Sequence, residues 1–176
     1  MPPRTQLELD KRADKLLATL KIEGLPVPVD RIAKRMGAQL RYSPFDDELA
    51  GMVYIKDKVP IIGVNALHSP NRQRFTIAHE IAHLHLHADV VAASVHIDKG
   101  FPESALRRDS SSADGSLLLE IEANRFASAL LMPRRALEAE LRAKPLDIED
   151  ERTIEQLAKQ FRVSTTALQY RLRSIP

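Results

Sequence analysis

Apolar residues recur along the chain at two spacings, one typical of helices and one typical of strands. Spacings of three and four predict helices over residues 7–20, 27–36, 71–87, 117–132, 134–144, 153–160 and 165–173. Short apolar runs bounded by turn residues predict strands over 38–42, 50–55 and 59–65. Two of the strands are expected to form a hairpin. The pattern therefore predicts an α+β fold, mainly helical, with a small three-stranded sheet of antiparallel type.

The predicted helix over 71–87 is apolar around most of its circumference, which indicates a buried helix. It nevertheless contains the sequence His79-Glu80-Ile81-Ala82-His83. Residues four apart lie on the same face of a helix, so both imidazoles can bind one metal ion. Glu80 lies beside them, where a carboxylate can take a proton from a water. Because a buried carboxylate without a partner is costly, a metal site is favoured over two histidines at a helix surface.

The predicted helix over 117–132 offers a third ligand, which a catalytic zinc ion needs. Glu120 and Asn124 are four residues apart on one face, whereas Glu122 is rotated by about 200° from Glu120. The two glutamates therefore cannot bind the same ion. Glu120 is preferred, because Asn124 then lies where it can accept the ring N–H of a liganding histidine. Glu122 is the alternative ligand, or else a carboxylate in a salt bridge.

Four further histidines lie outside the five-residue motif. His87 is four residues beyond His83 and drifts from the ligand face, so a structural hydrogen bond is favoured over metal binding. His85 is expected to pack or to lie at the surface. His68 and His96 are placed at loop or strand ends, where either can approach a substrate oxyanion.

Composition and charge narrow the chemistry. The 176 residues include no cysteine, so disulfides are excluded and a metal must be held by His, Asp or Glu. The 26 basic and 24 acidic residues give a formal net charge of +2, which neither indicates nor excludes nucleic-acid binding. The N-terminus has no apolar signal region, and the apolar runs are too short for a membrane span. A soluble, cytoplasmic protein is therefore expected.

Two stretches of the chain resemble the ImmA/IrrE family of metallopeptidases. The first runs from Arg72 to His83 and is followed by Leu86-His87, and the second covers 120–127 with its tail 130–133. The resemblance extends over roughly residues 10–135 and implies a zincin-like core. Carried over residue by residue, it implies that His79, His83 and Glu120 bind zinc and that Glu80 is catalytic. Ala82 stands where the family often has glycine.

The resemblance also implies an activity and a partner. Family members typically cleave a helix-turn-helix repressor at one bond, which derepresses stress, DNA-damage or mobile-element genes. Zinc is the expected cofactor, although manganese can use the same His and carboxylate donors. A second hypothesis is a metal-binding regulatory or toxin–antitoxin-type protein that binds a repressor or DNA without cleavage. Glu80 argues against it, because a sensor needs no base.

The end of the chain predicts two short helices, with Ser164 as the N-cap of the second. This is the pattern of a helix-turn-helix, and Gln169, Arg171 and Arg173 are the candidates for contact with DNA or a partner. A role in packing or in docking a repressor is favoured over DNA contact, because helix pairs are common in all-α structure. We expect a zincin-like metallopeptidase domain over 1–135 and a C-terminal helical segment over 136–176 packed on it. The polar segment 98–115 is expected to be a loop beside the substrate cleft.

Overall fold

The structure is a computed structural model that describes residues 4–46, 48–93, 95–98, 115–143 and 150–175. The segment predicted as a loop over 98–115 lies outside the described residues, apart from its two ends. The helices are α1 (Gln6–Thr19), α2 (Val29–Arg35), α3 (Pro70–Leu86), α4 (Ala88–Ala93), α5 (Gly115–Leu131), α6 (Arg134–Ala143), α7 (Glu151–Phe161) and α8 (Thr165–Ser174). The strands are β1 (Gln39–Ser43), β2 (Gly51–Lys56), β3 (Val59–Asn65) and β4 (His96–Asp98).

The predicted helices are all present in the described residues, with ends that differ by at most two residues from those predicted. Local signals explain several of these ends. Thr5 and Glu8 form a capping box at the start of α1. A proline occupies the first turn of α3, where its missing N–H costs nothing. The prediction of a mainly helical α+β fold is confirmed, although the short helix α4 was not predicted.

The sheet differs from the prediction in strand number and in direction. Its four strands are ordered β1-β3-β2-β4. The β2–β3 hairpin is antiparallel as predicted, and β4 adds to β2 in antiparallel fashion, but β1 runs parallel to β3. The prediction of three strands in an antiparallel-type sheet is therefore wrong. With three residues β4 is too short to produce a periodic pattern, and the direction of β1 depends on which side of the hairpin it joins.

The core forms where α3 meets α5, with α1 packed on α5 and with α2, β2 and β3 packed on α3. Eight successive residues of α3, from Thr76 to His83, are buried, in agreement with the predicted buried helix. The core is filled by large apolar side chains that include Leu9, Ile32, Ile62, Ile81, Phe126 and Leu130. Each such side chain stabilises the fold by about 1.5–3 kcal/mol relative to exposure. These contacts hold α3 and α5 side by side.

The last two helices pack against each other, and α8 also contacts α5. The Ser164 side chain accepts a hydrogen bond from Ala167 N at 3.1 Å, which confirms Ser164 as the N-cap of α8. A short connection between two helices is not sufficient to define a DNA-binding motif, so the helix-turn-helix stays a prediction, as does the boundary at 135. In the described part of the chain, no helix has the length and apolar character that a membrane span requires.

Arg171 requires a correction to the predicted surface contacts. It is 1% exposed, and its guanidinium donates to Asp10 Oδ1 at 2.8 Å and to the Met132 carbonyl at 3.1 Å. Arg171 therefore connects α8 to α1 and to the end of α5, and it does not face DNA or a partner. Gln169 is half-buried and Arg173 is exposed.

Candidate metal centre

The packing of α3 on α5 brings three predicted ligands to one point. His79 and His83 are one turn apart on α3, with their Nε2 atoms separated by 3.0 Å. From α5, Glu120 places Oε2 3.2 Å from His79 Nε2 and Oε1 3.5 Å from His83 Nε2. Both imidazoles are buried, and the Glu120 side chain is 20% exposed. Ligand atoms of three residues thus converge.

The separations of these atoms fit a tetrahedral ion. Two ligand atoms at about 2.0–2.1 Å from zinc, at the tetrahedral angle, are about 3.3–3.4 Å from each other. The two histidine nitrogens are 3.0 Å apart, and each lies 3.2 or 3.5 Å from a different oxygen of the Glu120 carboxylate, so the separations bracket that value. Two imidazoles and one carboxylate are also a donor set that catalytic zinc sites use. The residues present therefore fit a bound divalent ion.

The protonation states of the cluster favour metal binding. Burial lowers the pKa of His83 to about 4, so its imidazole is neutral near neutral pH and keeps a lone pair. For Glu120, burial alone would raise the pKa, but hydrogen-bond interactions with His79, His83 and His96 outweigh it. Together they hold the pKa of Glu120 well below its ordinary value. A neutral His83 imidazole beside an ionised Glu120 carboxylate has the protonation states that a metal ion requires.

Asn124 orients the first histidine. His79 Nδ1 lies 3.0 Å from Asn124 Oδ1, and both residues are buried. An amide oxygen only accepts hydrogen bonds, so Nδ1 carries the hydrogen and Nε2 keeps its lone pair toward the cluster. Asn124 lies one turn beyond Glu120 on α5, the position expected from the sequence.

A chain of polar contacts orients the second histidine. His83 Nδ1 lies 3.2 Å from His87 Nδ1, and His87 Nε2 lies 3.1 Å from Glu122 Oε2. A hydrogen on His87 Nε2 is donated to the carboxylate, so His87 Nδ1 can accept from His83 Nδ1 and leave His83 Nε2 free for a metal. Glu122 in turn accepts from the Arg4 backbone N–H at 2.7 Å and pairs with the Arg4 guanidinium. Glu122 therefore lies next to His87 and Arg4, while Glu120 lies next to His79 and His83.

Glu80 is fully buried on α3, next in sequence to His79. Its carboxylate lies close to the first residue of β2, where a Cβ added at Gly51 would come within 3.3 Å of Glu80 Oε1. The same Cβ would lie 2.4 Å from Thr76 Cγ2. Only glycine lets β2 approach α3 this closely, and the approach places the start of β2 directly over the Glu80 carboxylate.

Three other histidines were weighed from the sequence, and one of them joins the cluster. His96, on β4, places Nε2 3.1 Å from Glu120 Oε1, and its ring centroid lies 3.8 Å from that of His83. His68 contacts Asn65 instead, and His85 packs near the ring of Phe126. No sequence signal marked His96 as a neighbour of Glu120, because 24 residues separate them (120 − 96 = 24) and their meeting depends on the pairing of β4 with β2.

A buried helix with two histidines and an adjacent glutamate, facing a glutamate on a second helix, defines a metal-binding α+β domain of the kind that metallopeptidases use. The family model of peptidase M78, described as the IrrE N-terminal-like domain, matches residues 33–173. The chain belongs to this family, which confirms the resemblance found in the sequence and supports a metallopeptidase in general.

The fold is also found in a solved structure, that of a Mycobacterium tuberculosis transcriptional regulator. The two align with a TM-score of 0.60 at 18% sequence identity, over 91% of this chain and 45% of that chain. This chain therefore spans less than half the length of that regulator, and at this identity the likeness concerns the fold alone. No curated protein matches the chain significantly.

Proposed function

We propose that this domain is a zinc-dependent endopeptidase that hydrolyses one specific peptide bond in a helix-turn-helix repressor. The cleavage would relieve repression of stress, DNA-damage or mobile-element genes. The observation that carries the proposal is the convergence of His79, His83 and Glu120 beside the fully buried Glu80. Membership of a peptidase family supports the same reaction class, and the repressor as substrate rests on what the family resemblance implies.

In this mechanism His79, His83 and Glu120 hold the ion. When bound, a divalent ion such as Zn²⁺ lowers the pKa of a coordinated water and polarises a carbonyl, and Mn²⁺ is the alternative metal. Glu80 accepts the proton of the attacking water and later delivers it to the leaving amine. Asn124 and the His87–Glu122 pair keep the two imidazoles in the required tautomers.

The decisive experiment replaces the base and leaves the ligands in place. Glu80→Gln should lower the cleavage rate of a helix-turn-helix repressor substrate by about 10²- to 10⁴-fold, the usual contribution of general acid–base catalysis. Metal content and thermal stability should stay close to wild type. Fragments are followed on a gel, and Glu155→Gln, an exposed carboxylate on α7, is the matched control. Wild-type cleavage by the metal-loaded Glu80→Gln variant contradicts the mechanism.

The second hypothesis, binding without cleavage, predicts a different result from the same gel. The metal-loaded wild-type protein would then hold the repressor in a stable complex, and no fragments would form. Under the same hypothesis, Glu80→Gln would leave repressor binding unchanged. Direct DNA contact through Gln169 or Arg173 is a third and weaker proposal, and the absence of duplex DNA binding at low salt would remove it.

A further inference from the structure

The candidate metal centre offers one potential ligand more than a hydrolytic site needs. Among the described residues, ligand atoms of His79, His83, Glu120 and His96 all lie within 4.8 Å of one another. A catalytic zinc site typically has three protein ligands and keeps one position for water, whereas a structural site has four protein ligands. The fourth side chain therefore bears directly on whether a water can bind.

The position of the His96 nitrogen is that of a ligand. Nε2 is buried from solvent and lies 3.1 Å from Glu120 Oε1, within the range of the separations among the atoms of the other three residues. The ring also contacts that of His83, with centroids 3.8 Å apart. His96 and His83 both approach Oε1 of Glu120. An imidazole that only contacted solvent would not need this position.

The strand that carries His96 is weakly attached. β4 is three residues long and lies at the edge of the sheet, where His96, Ile97 and Asp98 pair with the first three residues of β2. Among the described residues here, Val95 just before the strand is 54% exposed and Ile97 within it is 50% exposed. A short edge strand with few buried apolar contacts opens at low free-energy cost.

From these observations we propose that His96 is a fourth protein ligand of the metal, so that strand β4 closes the site until it releases His96. Ligation by His96 does not depend on the proposed peptidase function. Only the consequence that the closed form is inactive rests on that function. Release of β4 would free one coordination position and uncover the edge of β2 next to Glu80. The metal centre would then alternate between a closed, four-ligand form and an open, three-ligand form.

Ligation is tested first on the wild-type protein, by long-range ¹H–¹⁵N correlation spectra of the histidine rings during titration with Zn²⁺ alone. The Nε2 resonances of His79, His83 and His96 should all move, with one equivalent of metal. Movement confined to His79 and His83 overturns the proposal. This measurement needs no variant and no substrate, so a failure of the peptidase function does not affect it.

Metal affinity provides the second readout. His96→Ala should weaken Zn²⁺ binding, measured by chelator competition, by at least about 10- to 100-fold, since even the loss of an outer partner has an effect of this size. His96→Gln, which keeps more of the side-chain volume, should also weaken it. Ile97→Ala, in the same strand, is the control and should bind as wild type. Unchanged affinity in both His96 variants contradicts the assignment.

Cleavage by zinc-saturated protein separates a closing ligand from a residue that stabilises the oxyanion. If His96 closes the site, His96→Ala should cleave about tenfold faster or more, because a minor open state is typically populated at about 10% or less. If it stabilises the oxyanion, the variant loses rate while its affinity for Zn²⁺ is unchanged, and the proposal is overturned. If wild type and variant both cleave nothing while the His96 resonance moves, the ligand assignment stands and the peptidase function fails.

Discussion

Two buried polar clusters lie at opposite ends of α5, and they differ in how their polar atoms are used. At the Arg171 cluster, the guanidinium donates to Asp10 and to the Met132 carbonyl, so charge is paired within the protein. At the metal centre, nitrogen and oxygen atoms of His79, His83 and Glu120 face one another at 3.0–3.5 Å. Donor–acceptor pairing identifies a structural cluster, whereas convergence of lone pairs on one point identifies a ligand site.

The two clusters also differ in how they affect the free energy of folding. Breaking an internally paired cluster by removing one partner lowers the free energy of unfolding. A ligand cluster opposes folding until a metal binds, because it holds buried polar groups close together. Substitutions in the two clusters should therefore separate cleanly into effects on the free energy of unfolding and effects on metal affinity.

The largest effect is expected at the Arg171 cluster. Arg171→Met should reduce the free energy of unfolding by about 3–5 kcal/mol, because it removes the only ion-pair partner that the structure shows for the buried Asp10 carboxylate and leaves it with the neutral Gln6 side chain as donor. Metal affinity of the folded fraction should not change. The measurement is urea denaturation, with the exposed Arg173→Met as control, expected within about 0.5 kcal/mol of wild type. The double variant Asp10→Leu/Arg171→Met should regain stability, and a single variant as stable as wild type would show that the pair is unimportant.

A smaller effect, on metal affinity, is expected from the ligand glutamate. Glu120→Ala should weaken Zn²⁺ binding by more than about 100-fold, a larger loss than the 10- to 100-fold typical for residues that only support a ligand. Glu122→Ala should fall within that lower range, because Glu122 acts through His87. Chelator competition measures both affinities. If the order is reversed, Glu122 is the ligand and the proposed role of Glu120 is wrong.

The smallest effect is expected at Asn124. Asn124→Ala should weaken Zn²⁺ binding by about 10-fold, at the lower end of the range for groups that orient a ligand. The physical reason is that His79 loses the acceptor that fixes its tautomer. Asn124→Asp, which keeps an acceptor oxygen, should bind more tightly than Asn124→Ala. Equal affinities for the two variants would mean that the hydrogen bond to His79 has no influence on the metal.

Much of the metal centre follows from local periodicity. The spacing of four residues places His79 and His83 on one face of α3, and the same spacing places Glu120 and Asn124 on one face of α5. The rotation of about 200° between Glu120 and Glu122 also holds in the structure, where the two carboxylates have different neighbours. These relations exist within single helices, so the packing of the chain does not alter them.

The errors concern contacts between distant parts of the chain. The sheet was predicted to be antiparallel, but β1 pairs with β3 in parallel. Strand direction depends on where β1 joins the hairpin, which the sequence does not show. Arg171 was predicted at a surface. Basic residues occur on both the inner and the outer face of a helix pair, and the sequence does not show on which face a given one lies. Its burial depends on α1 supplying Asp10, 161 residues away.

Helix spacing in the sequence was therefore sufficient to bring His79 and His83 to one face of α3 and Glu120 and Asn124 to one face of α5, since backbone geometry alone relates residues within a helix. The position of His96 beside Glu120 could not be predicted from helix spacing. It depends on three residue pairs between β2 and β4 and on the packing of α5 against α3. Long-range packing sets which elements meet, and in this protein it places His96 beside Glu120 as a fourth potential ligand.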